Sequence, residues 1–487
     1  MNIADALTEH AERRPDHPAL IDGARTITYR EVDPLVRRTA AHLATLGAGQ
    51  GDIVGVALGD NADHLVLLYA VARLGAAILP MDVRWTQTEK STLADFFKAR
   101  FVICETGGDI GGGVTSIAVD STWHNSVANA GTGQDFPSED SLPLVLSLSS
   151  RTTGRPKGPM ITHRHMLARF ENQRVTLNFR EDDRYFSVTP LYFGGGRHFT
   201  MGFLFQGATV VFFPPPFEPQ QLVAAAAKYD ATVTLVVPTI LRRLLQLPGQ
   251  DEPVLGGLRL LYTTGAVLHP DERRAVLARV SPNLINYYGS TEGGGISVLL
   301  PEHGGPAEKS VGTAVSTTEI QVVSAAHAPV PAGEIGRIRY RGPCVADGFY
   351  NDPEASAESF RDGWFYPGDL GRLDDAGFLY LAGRAKDMII RAGVNIYPEE
   401  VEQTLLTHPA VRDAAVLGWP SPDKGEEVAA FVVTSGAVSE AALQDHCRER
   451  IAPYKVPRGI FFVDDLPKNS IGKVVKPDLA ARLPKAS

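Results

Sequence analysis

The sequence LSLSSRTTGRPKGPMIT, residues 146–162, is the stretch that decides the fold. The apolar run 144–148 predicts a strand, and the hydroxyls, glycines and Pro156 that follow predict a tight polar loop where this strand ends. Hydroxyls and backbone N–H groups in such a loop donate to phosphoryl oxygens, and glycine allows backbone geometry that a Cβ opposes. The loop is therefore predicted to bind phosphate, through Ser149, Ser150, Arg151, Thr152, Thr153, Gly154 and Lys157.

This loop has two alternative interpretations. It differs from a Walker A loop, because the lysine of that motif precedes Ser or Thr, whereas Lys157 precedes Gly158. Taken alone, a run of Ser, Thr and Gly is also typical of an ordinary surface loop. A helix is predicted over 162–177, and its N-terminus is expected to direct the positive end of the helix dipole toward anything bound at the loop.

Composition narrows the class of protein. A chain of 487 residues predicts two or three domains, and a net charge of −9 disfavours non-specific binding to nucleic acid. The first twenty residues have the spacing of an amphipathic helix and do not resemble a signal peptide. The longest apolar stretch, 65–80, contains Arg73 and is too short to span a bilayer, so we expect a buried helix there and no membrane partner. Three cysteines without metal-ligand spacing favour buried thiols and a cytoplasmic location.

Strands and helices alternate along the chain. Short apolar strands at 19–21 and 53–58 alternate with helices at 29–46 and 62–74, and a strand follows at 101–104, which predicts an α/β fold with a largely parallel sheet. The alternation continues through 208–255, and a strand over 260–268 ends in a turn of small residues. Segment 107–113 is expected to be a loop and 126–140 an exposed connection. Strands near Ala414 and Val428 and a helix over 439–451 predict a compact α+β unit at the end.

Five motifs in order resemble those of the acyl-adenylate-forming superfamily, which includes acyl-CoA synthetases, peptide-synthetase adenylation domains and beetle luciferases. The phosphate loop follows the family pattern [TS]SGTTGxPKG, except that Arg151 replaces its first glycine. The other motifs are INYYGSTE at 285–292, GWFYPGDL at 363–370, GRAKD at 383–387 and PKNSIGK at 467–473. The resemblance implies a large N-terminal domain of layered sheets and helices, residues 1–386, and a small mobile α+β domain, residues 388–487, hinged at Asp387.

The resemblance also implies a nucleotide site. Tyr288 would stack on adenine, Thr291 would bond the α-phosphate, and Glu292 would hold Mg²⁺, for which a carboxylate oxygen is a suitable ligand. Asp369 and Arg384 would bind the ribose. The backbone at Gly265, Ala266 and Val267 would form one wall of the adenine and acyl pocket, and Gly289 is a further nucleotide-binding residue that the resemblance implies.

The acyl and CoA sites are implied in the same way. Phe193 stands where the family has a His or aromatic residue beside the acyl group, and the absence of side chains at Gly194, Gly195 and Gly196 suggests a roomy acyl pocket. Lys473 would bridge the substrate carboxylate and the α-phosphate during adenylation, and the loop around Gly393 would line the tunnel for CoA. The candidate catalytic residues are therefore Lys473, Glu292, Thr291 and Gly393.

The implied reaction joins a carboxylic acid to the AMP part of ATP and then transfers the acyl group to CoA. CoA is the expected thiol, since no phosphopantetheine carrier domain occurs within the chain. Arg151 is expected to crowd the space for the β- and γ-phosphates. Our hypothesis is that adenylation is weak or absent and that a separate adenylating enzyme supplies the acyl-adenylate, with Mg²⁺ needed only if adenylation is retained.

Other functions share these motifs. A complete ATP-dependent acyl-CoA synthetase is one, and Lys473 favours it. A stand-alone enzyme that loads a separate carrier protein and an inactive acyl-adenylate binder are the others, whereas no motif indicates luciferase-type oxygenation. The sequence predicts neither the identity of the acid nor the oligomeric state.

Overall fold

The computed structural model describes residues 1–109, 113–148, 157–249, 252–392, 394–421, 423–468 and 473–484. The chain forms two compact units. The first comprises Met1–Glu308, Ala314–Glu319 and Arg341–Phe365, and the second comprises Lys309–Thr313, Ile320–Tyr340 and Tyr366–Ser487. The predicted α/β fold class is confirmed. The hinge at Asp387 stays a prediction, because a single conformation does not test a rotation.

Helices and strands alternate within the described residues. The helices are α1 (Asp5–Arg13), α2 (Tyr29–Thr45), α3 (Ala62–Arg73), α4 (Gln87–Phe96), α5 (Ser121–Asn129), α6 (His163–Thr176), α7 (Gly194–Phe205), α8 (Pro219–Lys228), α9 (Pro238–Leu245), α10 (Pro270–Arg279), α11 (Pro353–Ser359), α12 (Pro398–Leu406), α13 (Glu440–Arg448) and α14 (Lys476–Ala480). Short 3₁₀ turns lie at Gly305–Lys309, Ala385–Asp387 and Pro453–Lys455.

The strands are β1 (Pro18–Asp22), β2 (Arg25–Thr28), β3 (Ile53–Ala57), β4 (Ala77–Pro80), β5 (Phe101–Cys104), β6 (Gly108–Asp109), β7 (Thr115–Ala118), β8 (Pro143–Leu146), β9 (Met160–Thr162), β10 (Arg184–Ser187), β11 (Thr209–Phe212), β12 (Val233–Val236), β13 (Leu260–Thr263), β14 (Leu284–Ser290), β15 (Gly294–Leu299), β16 (Thr313–Ala314), β17 (Glu319–Val323), β18 (Gly336–Arg341), β19 (Phe360–Arg361), β20 (Trp364–Phe365), β21 (Asp369–Leu373), β22 (Leu379–Arg384), β23 (Ile389–Arg391), β24 (Val394–Ile396), β25 (Val411–Ser421), β26 (Gly425–Thr434) and β27 (Gly459–Phe462).

Local sequence sets many of these boundaries. Helix α3 starts after Asn61, whose side chain accepts the N–H of His64, as helix N-caps of this type do. Helix α5 starts in the same way after Asp120 and extends through Asn129. The prediction of an exposed connection over 126–140 was therefore wrong in its first four residues. In the glycine-rich segment 107–113, Gly108 and Asp109 pair with β7 and form a short strand, which corrects the expectation of a loop for these two residues.

One sheet of the first unit contains, as neighbours, β15-β14-β13-β12-β10-β11-β1-β2. The strands from β14 to β1 are parallel, and the outer pairs β14–β15 and β1–β2 are antiparallel. Parallel strands bring their carboxyl ends to one edge of the sheet, which is where open α/β sheets bind ligands. We call this the carboxyl edge of the sheet.

The other sheet of the first unit has the order β6-β7-β5-β3-β4-β8-β9 and is parallel from β7 to β8. The strands of residues 16–83 are thus divided between two sheets, because β1 pairs with β11 through Leu20 and Val210, far apart in the chain. The sequence pattern of this region did not show that division.

Helix α3 lies in the core of the first unit, with every residue but Asp63 buried. A helix that is apolar on all sides is expected to be enclosed. Arg73, which interrupts the apolar stretch, pairs with Asp33 at 2.9 Å and donates to the carbonyl oxygen of Ala4. Its charge is therefore balanced inside the core, and the predicted buried helix leading into a strand is confirmed by α3 and β4. Among the described residues, no helix is long and apolar enough to cross a membrane.

The second unit contains a sheet of order β24-β23-β26-β25 with β27 beside β26. Alternate residues of β25 and β26 face opposite sides, as the two-residue period of a strand requires. Val416 and Ala430 pack with Leu405 of α12, whereas Leu417 packs with Leu479 of α14 on the other side. Strands β17, β18, β21 and β22 form a further layer in this unit. The predicted compact α+β unit is found here.

Candidate functional site

Three of the predicted site segments lie at the carboxyl edge. Phe193 follows β10, Gly265 follows β13, and Tyr288 lies near the end of β14. A Cβ added to Gly265 would lie 3.7 Å from Cζ of Phe193, so these two residues adjoin although 72 positions separate them in the chain. Gly265 has φ +92°, which disfavours any side chain there. The structure therefore brings together residues that the sequence predicted to flank one acyl pocket.

The three glycines after Phe193 form the first turn of α7. A Cβ on Gly196 would collide with the carbonyl oxygens of Thr189 and Pro190, so this glycine is required by backbone packing. A Cβ on Gly194 would meet no atom within 4 Å. Open space beside the acyl segment is thus present at Gly194, while the absence of a side chain at Gly196 has a structural cause.

Two charged side chains hold the acyl segment 190–193 from opposite sides. The N–H of Leu191 donates to Oδ1 of Asp60 at 2.7 Å, and Nη1 of Arg197 donates to the carbonyl oxygens of Leu191 and Tyr192 at 3.2 Å each. Burial, with a smaller contribution from Asp82, raises the pKa of Asp60 to about 6. Sequence reasoning identified neither Asp60 nor Arg197, because no motif marks them and their partners come from distant segments.

The phosphate loop closes a hairpin between β8 and β9, in which Leu146 pairs with Met160. The predicted residues Ser149, Ser150, Arg151, Thr152, Thr153 and Gly154 lie outside the described residues. At the base of the hairpin, the N–H of Ser147 donates to the carbonyl oxygen of Pro159 at 3.2 Å. A Cβ on Gly158 would collide with the carbonyl oxygen of Ser147. The two strands therefore approach closely where the loop begins and ends.

Lys157, the last predicted residue of the loop, forms an ion pair with Asp352 at 3.1 Å. The expected helix dipole at the loop is wrong. Strand β9 returns antiparallel to β8, so Thr162, which caps α6, lies opposite Pro143 at the far end of the hairpin. Because the dipole acts only within the first turn of a helix, α6 does not contribute to a ligand at the loop.

The signature INYYGSTE ends β14 and turns toward β15. Arg169, a buried residue of α6 that the motif search did not single out, donates from Nη2 to the carbonyl oxygens of Glu292 at 2.7 Å and Thr291 at 3.3 Å. The carbonyl oxygen of Glu292 also accepts the N–H of Ala346 at 2.9 Å. Hydrogen bonds from two segments thus hold the backbone of this turn. They fix the Cα positions from which the half-buried side chains of Tyr288, Thr291 and Glu292 extend. A Cβ on Gly289 would meet the carbonyl oxygen of Gly294 at 2.5 Å across the hairpin, so the glycine of this motif is required by packing.

Glu292 supplies one carboxylate to the carboxyl edge. Within the described residues, no group of three or more His, Cys, Asp or Glu is placed to hold a metal ion. Mg²⁺ is commonly held by one or two carboxylates together with substrate phosphates and water. A single carboxylate at this position therefore fits a metal ion carried by a nucleotide.

The remaining wall predicted for this pocket is the turn Gly265–Ala266–Val267. Val267 is exposed, and its carbonyl oxygen accepts a hydrogen bond from Nη2 of Arg242 at 3.2 Å. Arg242 is in turn paired with Glu272 at 2.5 Å. The turn is thus fixed through its backbone, and its side chains are left to face solvent or a ligand.

A second group of predicted residues lies within the second unit. Asp369 at the start of β21 and Arg384 at the end of β22 pair across the hairpin, with Nε and Oδ1 3.0 Å apart. Lys473 lies close to both and to Asp387. Desolvation, together with the positive charge of Arg384, lowers the pKa of Lys473. Gly393 lies outside the described residues. Residues predicted to bind ribose and substrate carboxylate are therefore brought together here, and their roles stay predictions.

Comparison with known proteins gives the family. The chain matches the AMP-binding enzyme family over residues 7–350 and the AMP-binding enzyme C-terminal domain over residues 400–473. It is 31% identical over 480 residues to 2-succinylbenzoate–CoA ligase of Bacillus licheniformis, covering 98% of this chain and 99% of that protein.

Solved structures of related proteins support the same family. ATP-bound MatB from Rhodopseudomonas palustris is 29% identical with a TM-score of 0.91 and 99% of both chains covered. The o-succinylbenzoate CoA synthetase MenE of Bacillus subtilis, in complex with its acyl-adenylate intermediate, is 27% identical with a TM-score of 0.88 and 99% of both chains covered. The chain therefore belongs to the AMP-binding enzyme family, the acyl-adenylate-forming superfamily of the motifs, and is an enzyme of the acyl-CoA ligase type.

Proposed function

We propose that this acyl-CoA ligase retains thioester formation from an acyl-adenylate and CoA as its stronger half-reaction, and that Arg151 weakens ATP-dependent adenylation. The relatives are named as CoA ligases, and one related structure contains an acyl-adenylate. These likenesses support the overall conversion of a carboxylic acid to its CoA thioester. The balance between the two half-reactions is the part that this chain's own loop suggests.

The observation that carries the proposal is a bulky residue in a loop with a tight base. Gly158 contacts the carbonyl oxygen of Ser147, and Ser147 is bonded to Pro159, so the ends of the loop are held together. Arg151 stands where the family pattern has its first glycine, so this loop has a long charged side chain that the family pattern lacks. If the position requires positive φ, a non-glycine residue costs roughly 1–2 kcal/mol as well.

The proposed roles of the described residues follow from their positions. Phe193 and Gly265 would bound the acyl group, and Asp369 would accept hydrogen bonds from the ribose, with Arg384 orienting its carboxylate through their ion pair. Glu292 would hold Mg²⁺, which offsets charge on the phosphates when ATP is used. CoA would enter at the loop around Gly393.

A complete ATP-dependent acyl-CoA ligase is the second candidate, and a specific observation favours it. Lys473, whose implied role is in adenylation, lies beside Asp369 and Arg384, where that role would be performed. A guanidinium also binds phosphate well, so Arg151 could strengthen capture of ATP. The two candidates predict opposite effects of removing Arg151.

The test measures the half-reactions separately. Adenylation is followed as pyrophosphate release from ATP and a panel of carboxylic acids without CoA, and thioester formation is followed from synthetic acyl-AMP and CoA. We expect slow adenylation in the wild type, faster adenylation in Arg151→Gly, and thioester formation at similar rates in both. Arg155→Gly is the matched control, because residue 155 occupies the variable position of the family pattern.

Each alternative has its own result. Fast adenylation by the wild type, or a loss of adenylation in Arg151→Gly, would establish the complete ligase. Thioester formation on a phosphopantetheinylated carrier protein but not on CoA would indicate a carrier-loading enzyme. Tight binding of acyl-AMP without transfer to either thiol would indicate an inactive binder.

A further inference from the structure

Arg197 is a buried cation at the junction of the acyl segment and the phosphate loop. It is 3% exposed and lies in the first turn of α7. Besides its bonds to the carbonyl oxygens of Leu191 and Tyr192, it donates from Nη2 to Oγ of Ser147 at 3.0 Å. Its fork therefore spans two segments that belong to different halves of the predicted site.

All the hydrogen-bond acceptors of Arg197 are neutral. Among the described residues no carboxylate forms an ion pair with it, and the charge that acts on its pKa is that of another cation, Arg169. Burial lowers the pKa of Arg197 to about 10, so it stays protonated at neutral pH. The loop residues 149–156, which follow Ser147 closely, include two arginines and no acidic residue. Within the part of the chain that the structure describes, Arg197 is thus a buried positive charge without an ion-pair partner.

Arg273 provides a comparison within the same unit. It is also buried, and its acceptors are also neutral, namely the backbone carbonyl oxygens of Leu300, Pro301 and His303. Unlike Arg197, it lies near two carboxylates, those of Glu302 and Glu308, which partly offset the effect of burial on its pKa. Arg273 therefore has the contacts of a structural arginine.

An uncompensated buried charge destabilises a folded protein unless something of opposite charge joins it. Two of the bonds made by Arg197 reach the acyl segment, and one reaches Oγ of Ser147 at the base of the phosphate loop, where the proposed function puts the phosphates. We infer that Arg197 is a positioning residue that fixes the base of the phosphate loop against the acyl segment and supplies the buried positive charge that favours the phosphates of the bound nucleotide. This inference rests on the proposed function, since it requires a nucleotide at this site.

The test separates charge from packing with two substitutions. Arg197→Lys keeps the charge but has a single donor group, and Arg197→Gln removes the charge but keeps an amide donor. Dissociation constants for ATP, AMP and adenosine are measured by calorimetry with each variant, at a temperature where unfolding curves show that the protein is folded. Adenosine has no phosphate, so a change in its affinity reports on distortion of the nucleoside pocket alone.

We expect Arg197→Gln to weaken ATP and AMP binding on the order of tenfold and to leave adenosine binding unchanged. Arg197→Lys should stay within about threefold of the wild type for all three ligands, since its charge remains. The matched control Arg273→Gln should lower the midpoint of unfolding and leave the three dissociation constants unchanged.

Several outcomes would overturn the inference. They are wild-type affinity for ATP and AMP in Arg197→Gln, equal losses in the Gln and Lys variants, or a matching loss for adenosine, which would mean that Arg197 only supports the fold. If the wild type binds none of ATP, AMP and acyl-AMP, the proposed function itself is wrong. Nucleotide binding by the wild type together with an unaffected Arg197→Gln variant rejects the role of Arg197 alone.

Discussion

Replacing Asp60 by Asn is expected to stabilise the protein above neutral pH. Burial raises the pKa of Asp60 from its ordinary value of 3.8 to about 6. One pKa unit is worth about 1.4 kcal/mol, so keeping Asp60 ionised in the folded state costs up to about 3 kcal/mol. An asparagine has no charge to desolvate, and its carbonyl oxygen still accepts the N–H of Leu191.

The sign of the pH dependence follows from linkage. A carboxyl group whose pKa is raised by folding binds its proton more tightly in the folded state, so it lowers stability as pH rises from 3.8 toward 6. Below that range both states hold the proton and the cost vanishes, whereas above it the cost is constant. The advantage of the variant should therefore grow from about 1.6 kcal/mol at pH 5 to about 3 kcal/mol at pH 8.

Urea denaturation of wild type and Asp60→Asn at several pH values checks this. Tryptophan fluorescence is a suitable signal, because Trp85 and Trp123 belong to the first unit, as Asp60 does. Asp16→Asn is the control, since the side chain of Asp16 is 84% exposed and its loss should change the midpoint little at any pH. A variant that is less stable than the wild type at pH 8, or a difference that does not grow with pH, would refute the reasoning.

Three further predictions concern the second unit. Asp369→Ala should weaken binding of a non-hydrolysable acyl-adenylate by about 1.5–3 kcal/mol for each hydrogen bond lost. Calorimetry measures this against the surface control Asp375→Ala, and an unchanged dissociation constant would remove Asp369 from the site. Because the pKa of Lys473 is lowered, adenylation should decline on the alkaline side at a lower pH than for an ordinary lysine, and Lys473→Arg should abolish that decline; pH profiles that coincide would contradict the assignment. Asp387→Pro, which fixes φ at the predicted hinge, should slow one half-reaction far more than the other, whereas Asp387→Ala should not, and wild-type rates for both half-reactions in the proline variant would exclude the hinge.

The sequence predicted the regular elements well where the signal is local. The strand at 101–104 and the helices over 62–74 and 439–451 were predicted from neighbouring residues alone, and they are found as β5, α3 and α13. Their boundaries depend on period and capping, which a short stretch of sequence contains. The order of strands in the two sheets was not predicted, since the pairing of β1 with β11 joins residues about 190 positions apart.

The residues of the candidate site also fall into those that motifs identified and those that only the fold shows. The family resemblance assigned Phe193, Gly265 and the 288–292 segment to one site, and the structure brings the first two next to each other. Arg169, Arg197 and Asp60 went unrecognised, because a charged residue looks the same in sequence whether it is solvated or enclosed. Only the fold shows that Arg169 bonds the backbone of the 291–292 turn and that Asp60 and Arg197 hold the segment around Leu191.

The tight base of the β8–β9 hairpin has a consequence for how this loop can vary. Among the described residues, its closure depends on the backbone bond between Ser147 and Pro159 and on the bare Cα of Gly158. A library that randomises residues 149–156 should therefore yield mostly folded proteins, whereas almost any replacement at Gly158 should not. The loop can then be exchanged between relatives as a cassette, and nucleotide preference can change while the surrounding fold stays the same.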